Sequence, residues 1–133
     1  MEAVMFNLMF QAHSGIRYLV LLLGVLAAVW GLVALARGAM PGRAGRILGA
    51  SFVGMLDLQI VLGLIVLFMR GFYPQLFGHV MTMLVAVAVG HVAVIASRQS
   101  TAARRSALWL GAGTLGTLAL VVLGILAIGR PVL

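Results

Sequence analysis

Four apolar runs of about 20 residues each take up most of this chain, and each is long enough to cross a bilayer as a helix. The runs are about Ile16 to Ala36 (extending back toward Met5), Ile47 to Met69, Gln75 to Ala96, and Ala107 to Ile128. They predict helices over about 5–36, 47–69, 75–97 and 106–129. The breaks between them carry charge, glycine and proline. Arg37-Gly38-Ala39-Met40-Pro41-Gly42-Arg43 is one, and Arg70-Gly71-Phe72-Tyr73-Pro74 is another. Pro74 suits the first turn of the third helix. Arg98 to Ser106 is the most polar stretch of the chain. All three links are short, so consecutive helices are expected to be antiparallel neighbours. The expected fold is all-α: an integral membrane four-helix bundle, up-down-up-down, forming one transmembrane domain over residues 1–133.

Charge argues the same way. Only 8% of residues are charged and 64% are hydrophobic, where a soluble domain carries about 25% charged residues. The net charge of +7 comes from arginines set against Glu2 and Asp57 alone. Those arginines stand at the ends of apolar runs, as membrane flanks do, and form no groove-reading surface for nucleic acid. Arg37, Arg43, Arg46, Arg98, Arg104 and Arg105 belong to the first and third links; Arg17, Arg70 and Arg130 belong to the other side. Six against three places the first and third links in the cytoplasm and both termini on the periplasmic side of a bacterial inner membrane. The start, Met1-Glu2-Ala3-Val4, lacks the positive region of a signal peptide, so the first run is expected to be retained. With no cysteine, thiol nucleophiles, disulfides and cysteine-ligated clusters are excluded.

In so apolar a chain, the informative residues are the polar ones within the runs. Ionisable groups there are costly and default to functional candidates. They are His13, Arg17, Asp57, His79 and His91, with Gln59 as a neutral companion. Counting back from Arg37 puts His13 about 36 Å from the cytoplasmic end of its helix, and counting from Arg98 puts His79 about 28 Å from its own. Both belong to the outer part of the bundle. His91 lies only about 10 Å above Arg98.

Two histidines on non-adjacent helices at one level are a plausible ligand pair for one haem iron, because neutral imidazole suits iron and bundles build such sites from facing side chains. Arg17, one turn past His13, is placed to neutralise a propionate. Gly78 and Gly90, beside His79 and His91, would admit a flat ring. A second, stacked haem at His91 lacks a fourth histidine. One haem is therefore the first expectation, with His91 left either as an alternative ligand or as a partner of Asp57. Asp57 lies about 16 Å into its helix, near the depth of His91, and the two are expected to pair. There Asp57 would orient an imidazole or pass protons beside a quinone. Each histidine also has a plainer reading as a hydrogen-bonded packing residue. Gly45 with Gly49, Ala50 with Gly54 and Ala112 with Gly116 are read first as helix-packing positions.

His13-Ser14-Gly15-Ile16-Arg17-Tyr18-Leu19-Val20, Leu56-Asp57-Leu58-Gln59, His79 with Met81 and Met83, and Gly90-His91 together resemble a group of small bacterial four-helix membrane proteins labelled cytochrome b-like. The resemblance covers most of the chain. It implies His13, His79 and His91 as haem ligands, and Asp57 and Gln59 as motif residues. Gly15-Ile16-Arg17-Tyr18-Leu19 is also similar to the Gly-Ile-Arg-His-Leu stretch in the cytochrome b anchor of succinate dehydrogenase, with Tyr18 where that family has histidine and four runs where it has three.

The leading functional expectation is a haem b electron-transfer protein or subunit, exchanging electrons with quinone. It would act with other membrane subunits or as a homo-oligomer. The alternative is an accessory structural subunit of a respiratory or photosynthetic complex. A small transporter built on Asp57 and His91 ranks last, since the two helix pairs show no internal repeat. Paired carboxylates, a Ser-His-Asp order and a phosphate loop are all missing, which leaves little for hydrolytic chemistry.

Overall fold

The computed structural model describes all 133 residues. It contains four α-helices: α1 (Glu2–Ala36), α2 (Gly42–Arg70), α3 (Leu76–Gln99) and α4 (Ala103–Leu126). All four are long and apolar enough to span a membrane. α1 has 35 residues, about 52 Å of helix, and so exceeds a hydrocarbon core of about 30 Å. The helix starts differ from the sequence expectation by up to five residues, at α2, which begins directly after Pro41 and runs through Arg43 and Arg46. Two basic residues in the first two turns do not read as helix from hydropathy, but Pro41 is pre-set for a helix start. Pro74 stands in the turn before α3, two residues ahead of the first helical position.

The ends are closed by backbone geometry. After α1, Gly38 takes φ +61°, with its N–H on Leu35 O at 3.1 Å and the Ala39 N–H on Ala34 O at 2.9 Å. This is a Schellman motif, in which a left-handed glycine satisfies the last carbonyls of the helix. The first link is tied back by Trp30, whose indole N–H donates to Pro41 O at 2.9 Å.

Small residues set the helix contacts. A Cβ on Gly31 would meet the Gly111 backbone, with Gly111 Cα at 2.6 Å, so α1 and α4 touch main chain to main chain. A Cβ on Gly24 would meet Leu118 Cδ2 at 2.5 Å and Phe52 Cε2 at 2.8 Å. Gly113 takes the Ala93 side chain, which joins α3 to α4. α4 packs broadly on α1 and α3, and α1 on α2, while α2 meets α3 only slightly. The central cluster is Val20, Phe52, Leu56, Ala86, Leu118, Val121 and Ile125. Near the α3–α4 link, Ser97 Oγ donates to Ser106 O at 2.9 Å and Ser106 Oγ donates to Ser97 O at 2.7 Å, both buried. The exterior is lined with large apolar side chains, among them Leu22, Val25, Phe68, Val92 and Leu123.

Candidate functional site: a two-histidine cavity

At one end of the bundle the four helices enclose a cavity of about 190 Å³. Its walls come from the first half of α1, the second half of α2, the first half of α3 and the end of α4. His13, on α1, and His79, in the first turn of α3, both line it. The two imidazoles and the guanidiniums of Arg17 and Arg130 are near enough to interact electrostatically. The depth count left about 8 Å between the two histidines; both nevertheless border one space.

Each imidazole is fixed through the same nitrogen. His13 Nδ1 donates to Gln59 O on α2 at 3.2 Å, and His79 Nδ1 donates to Gly124 O on α4 at 2.7 Å. A carbonyl can only accept, so each contact sets the tautomer and leaves Nε2 as the nitrogen with a free lone pair. Gln59 returns the contact, its Nε2 donating to His13 O at 2.7 Å. Room for the His13 ring comes from Gly63: a Cβ there would lie 3.0 Å from His13 Cε1. Gly63 is four residues after Gln59 and seven after Leu56, so all three fall on one helical face toward the cavity.

Neither glycine expected to admit a ring borders the cavity. A Cβ on Gly90 would meet Leu56 and Thr117 side chains at 3.1 and 3.2 Å, which makes Gly90 a packing position. Gly78 has only Ala127 Cβ nearby, at 3.8 Å. Gly63 does line the cavity.

Two buried polar atoms on the cavity-lining residues have no protein partner: Arg17 Nε and Gln59 Oε1. Three arginines stand around the same space, each over an aromatic ring. Arg17 lies 4.8 Å from the Tyr18 ring, Arg70 5.8 Å from Tyr73 and Arg130 4.7 Å from Phe10. Arg17 also donates to the Tyr18 hydroxyl at 2.8 Å. None of the three faces a carboxylate, for the one ion pair in the protein lies elsewhere. In the sequence, Arg70 and Arg130 stand only as flanking charges. Their convergence with Arg17 joins the end of α2 and the tail after α4, which no local pattern links.

His91 does not join the cavity. Its Nε2 meets Asp57 Oδ1 at 2.8 Å, the pairing expected from depth. Asp57 therefore holds His91 and neither cavity histidine. No group of three or more histidine and acidic side chains gathers anywhere as a metal cage. Comparison with protein-family models, curated proteins and solved structures finds no match to the chain. The class defined by fold and site is thus a four-helix bundle of membrane-span length with a two-histidine, arginine-rimmed cavity.

Proposed function

We propose that this protein is a haem b electron-transfer protein of a bacterial inner membrane, in which His13 and His79 would hold the haem iron. The observation that carries the reading is the shared tethering of these residues: both line one cavity, and both spend Nδ1 on a backbone carbonyl. Metal-bound histidines are commonly held this way, the second hydrogen bond fixing the ring and raising its basicity. A bare ion would need a third or fourth protein ligand, and none is present. A porphyrin brings four nitrogens of its own and asks only for two imidazoles. The unpartnered Arg17 Nε and the guanidiniums of Arg70 and Arg130 fit its carboxylates, and Gln59 Oε1 is a further free acceptor in the wall. The lining of Leu64, Leu67, Leu84 and Val121 shares the apolar character of its body, which would extend past the 190 Å³ cavity through its open side. When bound, haem supplies a one-electron couple; the protein's part is to hold its iron, offset its charge and exclude water.

The membrane placement rests on four span-length helices with an apolar exterior. In this reading the bundle runs up-down-up-down, the six arginines of the first and third links lie in the cytoplasm, and the cavity opens near the periplasmic face. A membrane quinone is the natural exchange partner for a site at that depth. A second reading has an observation of its own. The His13 and His79 bonds tie α1 to α2 and α3 to α4, which an accessory structural subunit would also need.

One measurement separates the two. Protein purified from haem-supplemented cells should give a reduced-minus-oxidised spectrum with a low-spin bis-imidazole band and one haem b per chain by pyridine haemochrome assay. A colourless, folded preparation that reconstitutes no such band with hemin removes the haem reading and leaves the structural one.

A further inference from the structure

Asp57 is the only acidic residue within the apolar part of the chain, and it stands on the outside of the bundle. Its side chain is 52% exposed and that of His91 is 39% exposed. Polar ionisable side chains inside a membrane almost always face protein or a water-filled cavity, because hydrocarbon cannot solvate them. The cavity at the other level does not reach this pair. Something else must cover it.

Three observations say what. Each member of the pair has used one of its two polar atoms: Asp57 Oδ1 is bonded to His91 Nε2, while Asp57 Oδ2 and His91 Nδ1 have no protein partner. With His91 as the imidazolium of this ion pair, both ring nitrogens are donors, so the leftovers are one acceptor, Asp57 Oδ2, and one donor, His91 Nδ1–H, on the same small patch. Secondly, Asp57 lies on an exposed stripe of α2 formed by Ile47, Ala50, Gly54, Asp57, Val61 and Phe68. These positions fall within about 80° of one another at 100° per residue. Thirdly, the stripe has a low point immediately before Asp57. Ala50 and Gly54 are four residues apart and both exposed, and nothing lies within 4 Å of where a Gly54 Cβ would be. Small residues four apart allow helix backbones to approach closely in lipid. Gly45 and Gly49 fulfil that role inside the bundle, against Leu110 and Val94; Ala50 and Gly54 face outward instead.

We propose that the α2 face around Asp57 and His91 is a two-fold interface with a second copy of this chain. An acceptor and a donor on one patch are self-complementary under a two-fold axis, since each contact is then made twice. His91 Nδ1 of one copy meets Asp57 Oδ2 of the other, and the reciprocal contact closes a ring of four side chains. Ala50 and Gly54 let the two α2 helices come near enough for it. The apolar members of the stripe complete the seam. The inference rests on the membrane placement above and is independent of haem.

The absence of cysteine makes the test direct. Single-cysteine variants Ala50→Cys and Val61→Cys on the stripe, and Leu115→Cys on the exposed face of α4 as a control, are oxidised in native membranes with copper phenanthroline. The two stripe variants should cross-link to a dimer, and Leu115→Cys should not. Adding Asp57→Asn or His91→Gln to Val61→Cys should cut the cross-linked fraction severalfold; the two changes are made separately so that a folding defect in one does not decide the result. The same membranes are washed at alkaline pH. A chain released by the wash refutes the membrane placement. A chain retained, with stripe and control variants alike in yield, refutes the interface, as does wild-type protein that is monomeric in nanodiscs by native mass spectrometry.

Discussion

Gln59 and His13 hold each other twice: the Gln59 amide donates to the His13 carbonyl at 2.7 Å, and the His13 ring donates to the Gln59 carbonyl at 3.2 Å. This reciprocal clasp fixes the height of α1 on α2 at the level of the cavity. It also orients the ring whose other nitrogen the haem reading requires. Gln59→Met keeps the side-chain length but removes the donor. The expected cost is about 0.5–1.5 kcal/mol of stability, the range for one net hydrogen bond. Its effect on the site should be larger than its effect on the fold. Thermal unfolding in detergent gives the first quantity, and haem retention through gel filtration gives the second.

His13→Ala and His79→Ala should each abolish the bis-imidazole spectrum. His91→Ala should leave it intact, because His91 lies with Asp57 and outside the cavity. Electron paramagnetic resonance of the oxidised variants distinguishes two-histidine ligation from a single ligand. Loss of the low-spin signal in His91→Ala alone would reverse the assignment.

Gly63→Val should displace the His13 ring, since even a Cβ would stand 3.0 Å from Cε1. Haem binding by apoprotein titrated with hemin should weaken by about tenfold or more, a shift equivalent to about 1.4 kcal/mol. Gly15→Ala is the matched control on α1: nothing lies within 4 Å of its Cβ position, so binding should not change.

The arginine rim makes a prediction about which porphyrin is bound. Wild-type protein should prefer hemin over hemin dimethyl ester, whose carboxylates are blocked. Changing Arg17, Arg70 and Arg130 together to Gln should erase that preference while the bis-imidazole band with the ester persists. Equal affinity of the wild type for the two ligands would show that the guanidiniums do not bind the cofactor's charge.

Gly31→Val should be among the most disruptive single changes. Its new atoms meet the main chain of Gly111, which cannot rotate away as a side chain can. Overpacking of this kind costs about 1–3 kcal/mol, and here α1 must move off α4 to relieve it. The melting temperature of the detergent-solubilised variant, beside that of Gly116→Val on an open surface, checks this.

The helices were legible because their causes are local. A run of about 20 apolar residues bounded by charge, glycine and proline has few ways to satisfy its backbone except as a helix. Each expected helix is present, with ends moved by at most five residues. The Asp57–His91 contact was legible too, since residue rise along neighbouring helices measures depth directly. Rotation about each helix axis was not. A helix that is apolar all round carries no stripe to say which side turns inward. For that reason sequence singled out Gly78 and Gly90 where the cavity uses Gly63, and placed His91 among the ligand candidates although its face turns away. It likewise treated Arg70 and Arg130 as flanks. By itself, then, the sequence determined four helices, their order and the depth of each polar group, all quantities that add up along the chain. Which faces meet was decided only in the tertiary structure. Main-chain contact at Gly31 and Gly111, and the carbonyls of Gln59 and Gly124, set the helix rotations and so bring His13 and His79 to one cavity and leave Asp57 outside.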